Sequence, residues 1–123
     1  MHKKTILVLD DEELMVAAIF ESLGSAGYRA FGMESKRLAL HWIKEHHPDL
    51  VITDINAPEM NGFEFIDALK ADPELAQTRF IVVSGNVDLT KAIRLSKLGA
   101  ADVFVKPFEM EELLSRIEET LSD

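Results

Sequence analysis

Short apolar runs alternate with longer amphipathic stretches along the whole chain. Four of the runs contain at most one polar residue, which is typical of parallel strands covered on both faces. The stretches between the runs repeat apolar residues at helical spacing. The pattern predicts strands at 5–9, 28–32, 50–53, 80–83 and 102–105, and helices at 13–25, 35–46, 62–71, 88–98 and 109–121.

Strict alternation of strands and helices predicts an α/β fold, a doubly wound parallel sheet with helices on both faces. The strand at 28–32 is the least apolar, so we expect it at an edge of the sheet. The length of 123 residues suits one domain, and the last predicted helix runs almost to the final residue. We therefore expect a single domain over residues 1–123.

Charge and composition narrow the possible partners and location. The net charge of −9 disfavours direct nucleic-acid binding. The longest apolar runs are far short of the roughly 18 residues that insertion into a membrane requires, and aspartates end the first run too early for a signal peptide. With no cysteine, disulfides and thiolate metal sites are excluded. We expect a cytoplasmic protein.

Polar residues stand where four of the predicted strands end. Asp10 and Asp11 follow the first strand, Asp54 the third, Ser84 the fourth and Lys106 the fifth. Open α/β sheets form their sites just beyond the carboxyl ends of the strands. If these strands are neighbours, three carboxylates, a hydroxyl and an ammonium share one pocket.

The chemistry of such a pocket is that of magnesium and phosphoryl groups. Clustered carboxylates repel one another unless a cation lies among them, and Mg2+ accepts both carboxylate and phosphate oxygens. A carboxylate such as Asp54 can attack phosphorus and form an aspartyl phosphate. The Ser84 hydroxyl and the Lys106 ammonium can both contact phosphoryl oxygens.

Each residue taken singly also has an ordinary interpretation. The acidic segment at 10–13 can cap the next helix and complement its dipole, and Glu12 and Glu13 are assigned to that role alone. Ser84 with Gly85 can be a simple turn, and most lysines are solvated. The functional interpretation therefore depends on the order and spacing of these residues along the chain, not on any one of them.

The set resembles the receiver domains of two-component response regulators, of the chemotaxis-regulator kind, over essentially the whole chain. The resemblance rests on Ile6-Leu7-Val8-Leu9-Asp10-Asp11-Glu12, on Asp54-Ile55-x-x-Pro58-x-Met60-Asn61-Gly62, on Ser84-Gly85, and on Gly99-Ala100-Ala101-Asp102 running into Lys106-Pro107-Phe108. It implies a flavodoxin-like fold with a five-stranded parallel sheet in the order 2-1-3-4-5 and five helices.

The resemblance also implies Mg2+ as cofactor and a role for each polar residue. Asp54 would be the phosphoacceptor, Ser84 the switch hydroxyl and Lys106 the cationic partner of the phosphoryl group. The implied metal ligands are Asp11 and Asp54 directly, Asn56 through its backbone carbonyl, and Asp10 through a water molecule. The implied donor is a histidine kinase or a histidine-phosphotransfer protein, and the implied output is a downstream protein target.

Two positions depart from the family pattern. Receivers usually carry an aromatic switch residue three places before the lysine, where this chain has Val103. The aromatic Phe104 is one place later, and strand alternation puts it on the opposite face of the sheet. We therefore expect weak coupling from Ser84 to the fourth and fifth helices. Ala57 replaces a commoner methionine, and its smaller side chain would open the pocket.

The first helix carries an unusual second apolar strip of Val16, Ala17 and Phe20. One interpretation is a wider buried face. The other is a docking surface on helix 13–25 for a histidine kinase or a histidine-phosphotransfer helix.

Three functions are compatible with these residues. The leading one is a phosphorylation-controlled signalling module that is not an enzyme, since it promotes only its own phosphoryl transfer and dephosphorylation. A haloacid-dehalogenase-like phosphohydrolase would need a second acid where Asn56 stands, and a capping domain that 123 residues do not accommodate. A receiver-fold interaction module that works without phosphorylation is the third.

Overall fold

Five strands and five helices alternate through the computed structural model, which describes residues 3–56 and 60–122. The strands are β1 (Thr5–Leu9), β2 (Arg29–Met33), β3 (Leu50–Thr53), β4 (Phe80–Ser84) and β5 (Asp102–Val105). The helices are α1 (Glu13–Ser25), α2 (Lys36–His46), α3 (Gly62–Ala71), α4 (Leu89–Lys97) and α5 (Met110–Leu121). The predicted succession of elements is confirmed.

All strands are parallel and form one sheet in the order β2-β1-β3-β4-β5. This confirms the doubly wound fold class and the edge position of β2. Leu9 at the end of β1 pairs with Met33 on one side and Thr53 on the other, and Ser84 pairs with Val105. The carboxyl ends of the strands therefore line up along one edge of the sheet, where the polar residues follow.

The core has two layers, one on each face of the sheet. Alternate residues of each strand point to opposite faces, so Leu7 and Leu9 pack with α2, α3 and α4, whereas Ile6 and Val8 pack with α1 and α5. The buried strands β3 and β4 contribute to both layers, which explains their nearly unbroken apolar sequence.

Several element ends differ by one residue from the prediction because capping residues are not helical. Ser35 and Asp88 are extended N-caps, and their side chains accept hydrogen bonds from the backbone N–H groups of Leu38 (3.1 Å) and Lys91 (2.8 Å). Glu109 is likewise an extended N-cap. These helices therefore begin one residue after the predicted start.

The strand predicted at 28–32 is shifted by one residue. Gly27 has a φ of +94°, and the N–H of Tyr28 donates to the Leu23 carbonyl at 3.0 Å. Tyr28 thus belongs to the turn that ends α1. The strand takes in Met33 at its other end, where it pairs with Leu9.

Within residues 3–56 and 60–122, no helix combines the length and apolarity needed to cross a membrane.

Gly62 brings the start of α3 against the backbone that follows β3. Its N–H donates to the Ile55 carbonyl at 2.9 Å. A Cβ at this position would lie 2.4 Å from the Ile55 Cα and 2.7 Å from the Asp54 carbonyl oxygen. Both are backbone atoms that cannot rotate away, so the close approach requires glycine.

We expect Gly62→Ala to destabilise the protein by about 1–3 kcal/mol, because the added methyl group displaces packed backbone. The matched control is Gly24→Ala within α1, where no described heavy atom lies within 4 Å of an added Cβ. The control should be neutral or gain about 0.5–1 kcal/mol. Urea denaturation measures both, and equal stabilities of the two variants would contradict the packing argument.

Candidate functional site

Three carboxylates cluster at the carboxyl ends of β1 and β3. One oxygen from each of Asp10, Asp11 and Asp54 lies within 4.8 Å of the others. Asp10 and Asp54 are only 4% and 6% exposed, whereas Asp11 is open to solvent. Two adjacent strands thus bring together acids that are more than 40 residues apart in sequence.

Backbone donors fix one oxygen of each buried carboxylate. The Asp10 Oδ1 accepts the N–H of Glu12 at 3.0 Å, and the Asp54 Oδ1 accepts the N–H of Asn56 at 2.8 Å. The hydroxyl of Thr53 donates to the Asp54 carbonyl at 3.0 Å and steadies the chain at this bend. The second oxygen of each aspartate is turned towards Lys106.

Lys106 reaches the cluster from the end of β5. Its Nζ donates to the Oδ2 of Asp10 at 2.9 Å, the Oε1 of Glu12 at 2.9 Å and the Oδ2 of Asp54 at 3.4 Å. Burial lowers the pKa of Lys106, but the hydrogen bonds to Asp10 and Glu12, together with the negative charges of Asp10 and Asp54, outweigh it and hold this pKa above its ordinary value. The side chain is therefore a fixed cation at neutral pH. The peptide bond between Lys106 and Pro107 is cis.

The contact of Glu12 with Lys106 corrects the sequence interpretation, which gave Glu12 only to helix capping. Glu12 is the N-cap residue of α1, yet its side chain makes no capping hydrogen bond within the described part of the chain. It bends instead towards the ammonium. The two residues are 94 positions apart, so no local sequence signal identifies the pair.

Ser84 lies at the end of β4, between the strands that carry Asp54 and Lys106, and is fully buried. Its Oγ accepts a hydrogen bond from the side-chain amide of Asn56 at 3.2 Å and a longer one from the N–H of Asn86 at 3.4 Å. The resemblance implies a role in the receiver site only for the backbone carbonyl of Asn56. Its side chain has a second role, because it holds the serine hydroxyl.

The donor set fits a hard divalent cation. Asp10, Asp11 and Asp54 form the cluster, and the ammonium of Lys106 contacts Asp10, Asp54 and the further carboxylate of Glu12. An additional cation would reduce their repulsion, and all the available donors are oxygens, which Mg2+ prefers. The predicted contribution of Ala57, and the motif residue Pro58, lie outside the described residues.

The apolar strip on α1 is divided between core and surface. Val16 is half-buried and its Cγ1 would be 2.9 Å from a Cβ at Gly32, so it packs directly on β2. Ala17 is exposed and Phe20 is 47% exposed. Together with Asp10 they line a groove of about 280 Å³ that opens beside the acidic cluster.

Val103 and Phe104 lie on opposite faces of the sheet, as strand alternation predicts. Val103 packs in the layer of α2, α3 and α4. Phe104 packs in the layer of α1 and α5, where its ring meets that of Phe108 edge-on at 5.9 Å. No aromatic ring of β5 therefore lies on the face that Val103 occupies.

The family model of the response regulator receiver domain matches residues 6–118 of the chain. The chain belongs to this family. The predicted identity is thus confirmed, and with it a place in two-component signal transduction.

Named relatives and solved structures agree with the assignment. The chain is 29% identical over 120 residues to the polar-differentiation response regulator DivK of Brucella ovis, covering 98% of both proteins. It is 31% identical over 123 residues to the DNA-binding transcriptional regulator NtrC of Azospirillum brasilense, but spans only 25% of that protein. The crystallised chemotaxis protein CheY4 of Vibrio cholerae superposes with a TM-score of 0.89 at 28% identity, covering 98% of this chain and 100% of that one.

Two general properties of receiver domains, metal binding and interaction with phosphodonor proteins, bear on this site. Receiver domains generally bind Mg2+ at an acidic pocket, and this receiver has such a cluster in Asp10, Asp11 and Asp54. They interact with histidine kinases or phosphotransfer proteins, and they generally act as signalling modules rather than as enzymes.

The position of Val103 generates a prediction about the output helices. Valine has few rotamers and cannot make the inward movement of an aromatic switch. We expect the phosphoryl mimic beryllofluoride, added with Mg2+, to change hydrogen exchange little along α4 and α5. Slower exchange near Asp54 and Ser84 would show that the mimic is bound. Large changes over residues 88–98 and 109–121, measured by mass spectrometry, would contradict this expectation.

Proposed function

We propose that this receiver accepts a phosphoryl group from a phosphohistidine donor onto Asp54, with the aid of Mg2+. The observation that supports the proposal most strongly is the convergence of Asp10, Asp54 and Lys106 beside the exposed Asp11. A carboxylate nucleophile, a cation for the phosphoryl oxygens and acidic metal ligands are thus within contact of one another. Residues 1–123 would form one receiver domain that acts in a two-component system or phosphorelay in the cytoplasm.

In the proposed reaction, a carboxylate oxygen of Asp54 attacks phosphorus and forms a P–O bond. The P–N bond to the donor imidazole breaks, and its electron pair returns to the histidine nitrogen. The N–H of Asn56 holds the Asp54 Oδ1 at 2.8 Å and so fixes the orientation of the nucleophile. Hydrolysis by water later returns Asp54 to a carboxylate.

The proposed ligands of Mg2+ are Asp11, Asp54 and the backbone carbonyl of Asn56, with Asp10 acting through water. The Oδ2 of Asp10 is held by Lys106 at 2.9 Å, more closely than the Oδ2 of Asp54 at 3.4 Å, and this tighter contact favours an indirect role for Asp10. The bound cation would offset negative charge that develops on the phosphoryl oxygens.

Lys106 and Ser84 are proposed to recognise the phosphoryl group once it is attached. The Lys106 ammonium would exchange a carboxylate contact for a charge-assisted hydrogen bond to a phosphoryl oxygen. The Ser84 hydroxyl, held at rest by the Asn56 amide, would donate to another. The serine is thus the proposed switch hydroxyl of this receiver.

Asn56 also weighs against the phosphohydrolase alternative. A haloacid-dehalogenase-like enzyme needs an acid there to protonate a leaving group, whereas this amide donates to Ser84. A module that works without phosphorylation would have no need for acids that repel one another at one strand edge.

The groove beside α1 is the proposed docking site for the donor. Ala17 and Phe20 are exposed next to Asp10, so an apolar side chain of the donor helix seated there would lie close to the acidic cluster. Glu34, an exposed acid, lines the same groove, and this favours a donor helix with basic residues at its margin.

We expect acetyl phosphate with Mg2+ to add one phosphoryl group to the protein, and Asp54→Asn to abolish the addition, because an amide is not a phosphoryl acceptor. Intact mass measures the product, and EDTA should suppress it. The control is Asp67→Asn on the exposed face of α3, which should be labelled like the parent. Unchanged labelling of the Asp54→Asn variant would overturn the assignment.

We expect Phe20→Ala to lower the rate of transfer from a phosphorylated histidine-phosphotransfer protein that labels the parent. Loss of an aromatic contact at the centre of an interface costs about 1–2 kcal/mol, or roughly tenfold in kcat/KM. Labelling by acetyl phosphate should not change, because that donor needs no protein contact. Leu38→Ala, at a 60% exposed position on α2, serves as the control. Equal transfer rates for the two variants would place the docking surface elsewhere.

A further inference from the structure

The ammonium of Lys106 has no donor to spare in this structure. It carries three N–H groups, and it contacts the three carboxylates of Asp10, Glu12 and Asp54. A phosphoryl oxygen at Asp54 can therefore be bound by Lys106 only if an existing contact is released. The question is which of the three carboxylates gives up the ammonium.

Asp10 is a poor candidate for release. It is 4% exposed, and its other oxygen is occupied by the N–H of Glu12. Separation from Lys106 would leave a buried carboxylate without its counter-ion, which is strongly unfavourable. Asp54 is itself the proposed attachment point, so Lys106 stays beside it when the phosphoryl group arrives.

Glu12 differs from both aspartates in its exposure. Its side chain is 57% exposed, compared with 4% for Asp10 and 7% for Asp54. Water can replace the ammonium at an exposed carboxylate with little loss of free energy. Glu12 is also bound at 2.9 Å, a closer contact than the 3.4 Å to Asp54. It is therefore a close partner at rest and the one most easily released.

We propose that Glu12 is a positioning residue that holds Lys106 at rest and competes with the phosphoryl group for its ammonium. The inference rests on the proposed function of Asp54. Glu12 would slow phosphorylation, because the contact must break before Lys106 can stabilise the transferred group. The side chain and the backbone of Glu12 have separate roles, since its N–H fixes Asp10 whatever the side chain is.

The test is the rate constant for labelling by acetyl phosphate at saturating Mg2+. We expect Glu12→Gln to raise it roughly twofold to fivefold, the range for an exposed ion pair. Glu13→Gln removes the same charge one residue further along, where the side chain is also exposed, and should leave the rate unchanged. Glu12→Asp keeps the negative charge but shortens the side chain. It should raise the labelling rate as Glu12→Gln does, because the contact with Lys106 is lost in both variants.

A double-mutant cycle with Lys106→Ala distinguishes positioning from a general structural role. When the ammonium is absent, Glu12→Gln should have no further effect on the labelling rate. Equal rates for Glu12→Gln and Glu13→Gln would overturn the inference while leaving Asp54 as acceptor. If Glu12→Gln raised the labelling rate by the same factor in the Lys106→Ala background, that result would also overturn the inference. A parent protein that is not labelled at Asp54 would overturn the proposed function, and the inference with it.

Discussion

The ion pairing of Lys106 with carboxylates from other strands is the interaction on which the site depends. It joins the end of β5, at the edge of the sheet, to the ends of β1 and β3. To reach Asp54 the lysine spans β4, the strand that ends in Ser84. Because Lys106 draws together three strand ends, a phosphoryl group at Asp54 would arrive beside the ammonium, which would have to release one of its present contacts to bind it.

The same cluster opposes the stability of the fold that supports it. The clustered carboxylates of Asp10, Asp11 and Asp54 repel one another, and two of them, Asp10 and Asp54, are buried. The apolar layers on both faces of the sheet hold these charges together despite the repulsion. A divalent cation that binds only the folded chain would therefore stabilise it by mass action as well as supply chemistry. Stability and the proposed phosphorylation would thus be linked through one set of side chains.

The sequence predicts most of the fold because the apolar runs are short, separate and nearly free of polar residues. It misses single residues at the ends, such as Ser35 and Asp88, because capping geometry depends on local dihedral angles rather than on periodicity. It places Asp10 and Asp54 at one edge because parallel strands align their ends. It could not find the contacts of Glu12 and Asn56, which join residues 94 and 28 positions apart through side-chain orientation.

Gly62 shows how a position without functional chemistry can govern the site. A Cβ at this position would lie within 3 Å of backbone atoms of Asp54 and Ile55, so any side chain there pushes on the segment that carries the proposed acceptor. Genetic screens for loss of signalling should recover substitutions at this glycine alongside those at the acidic residues. Variation at position 62 is thus restricted by the shape of the chain around the aspartate, and glycine should be retained there during evolution.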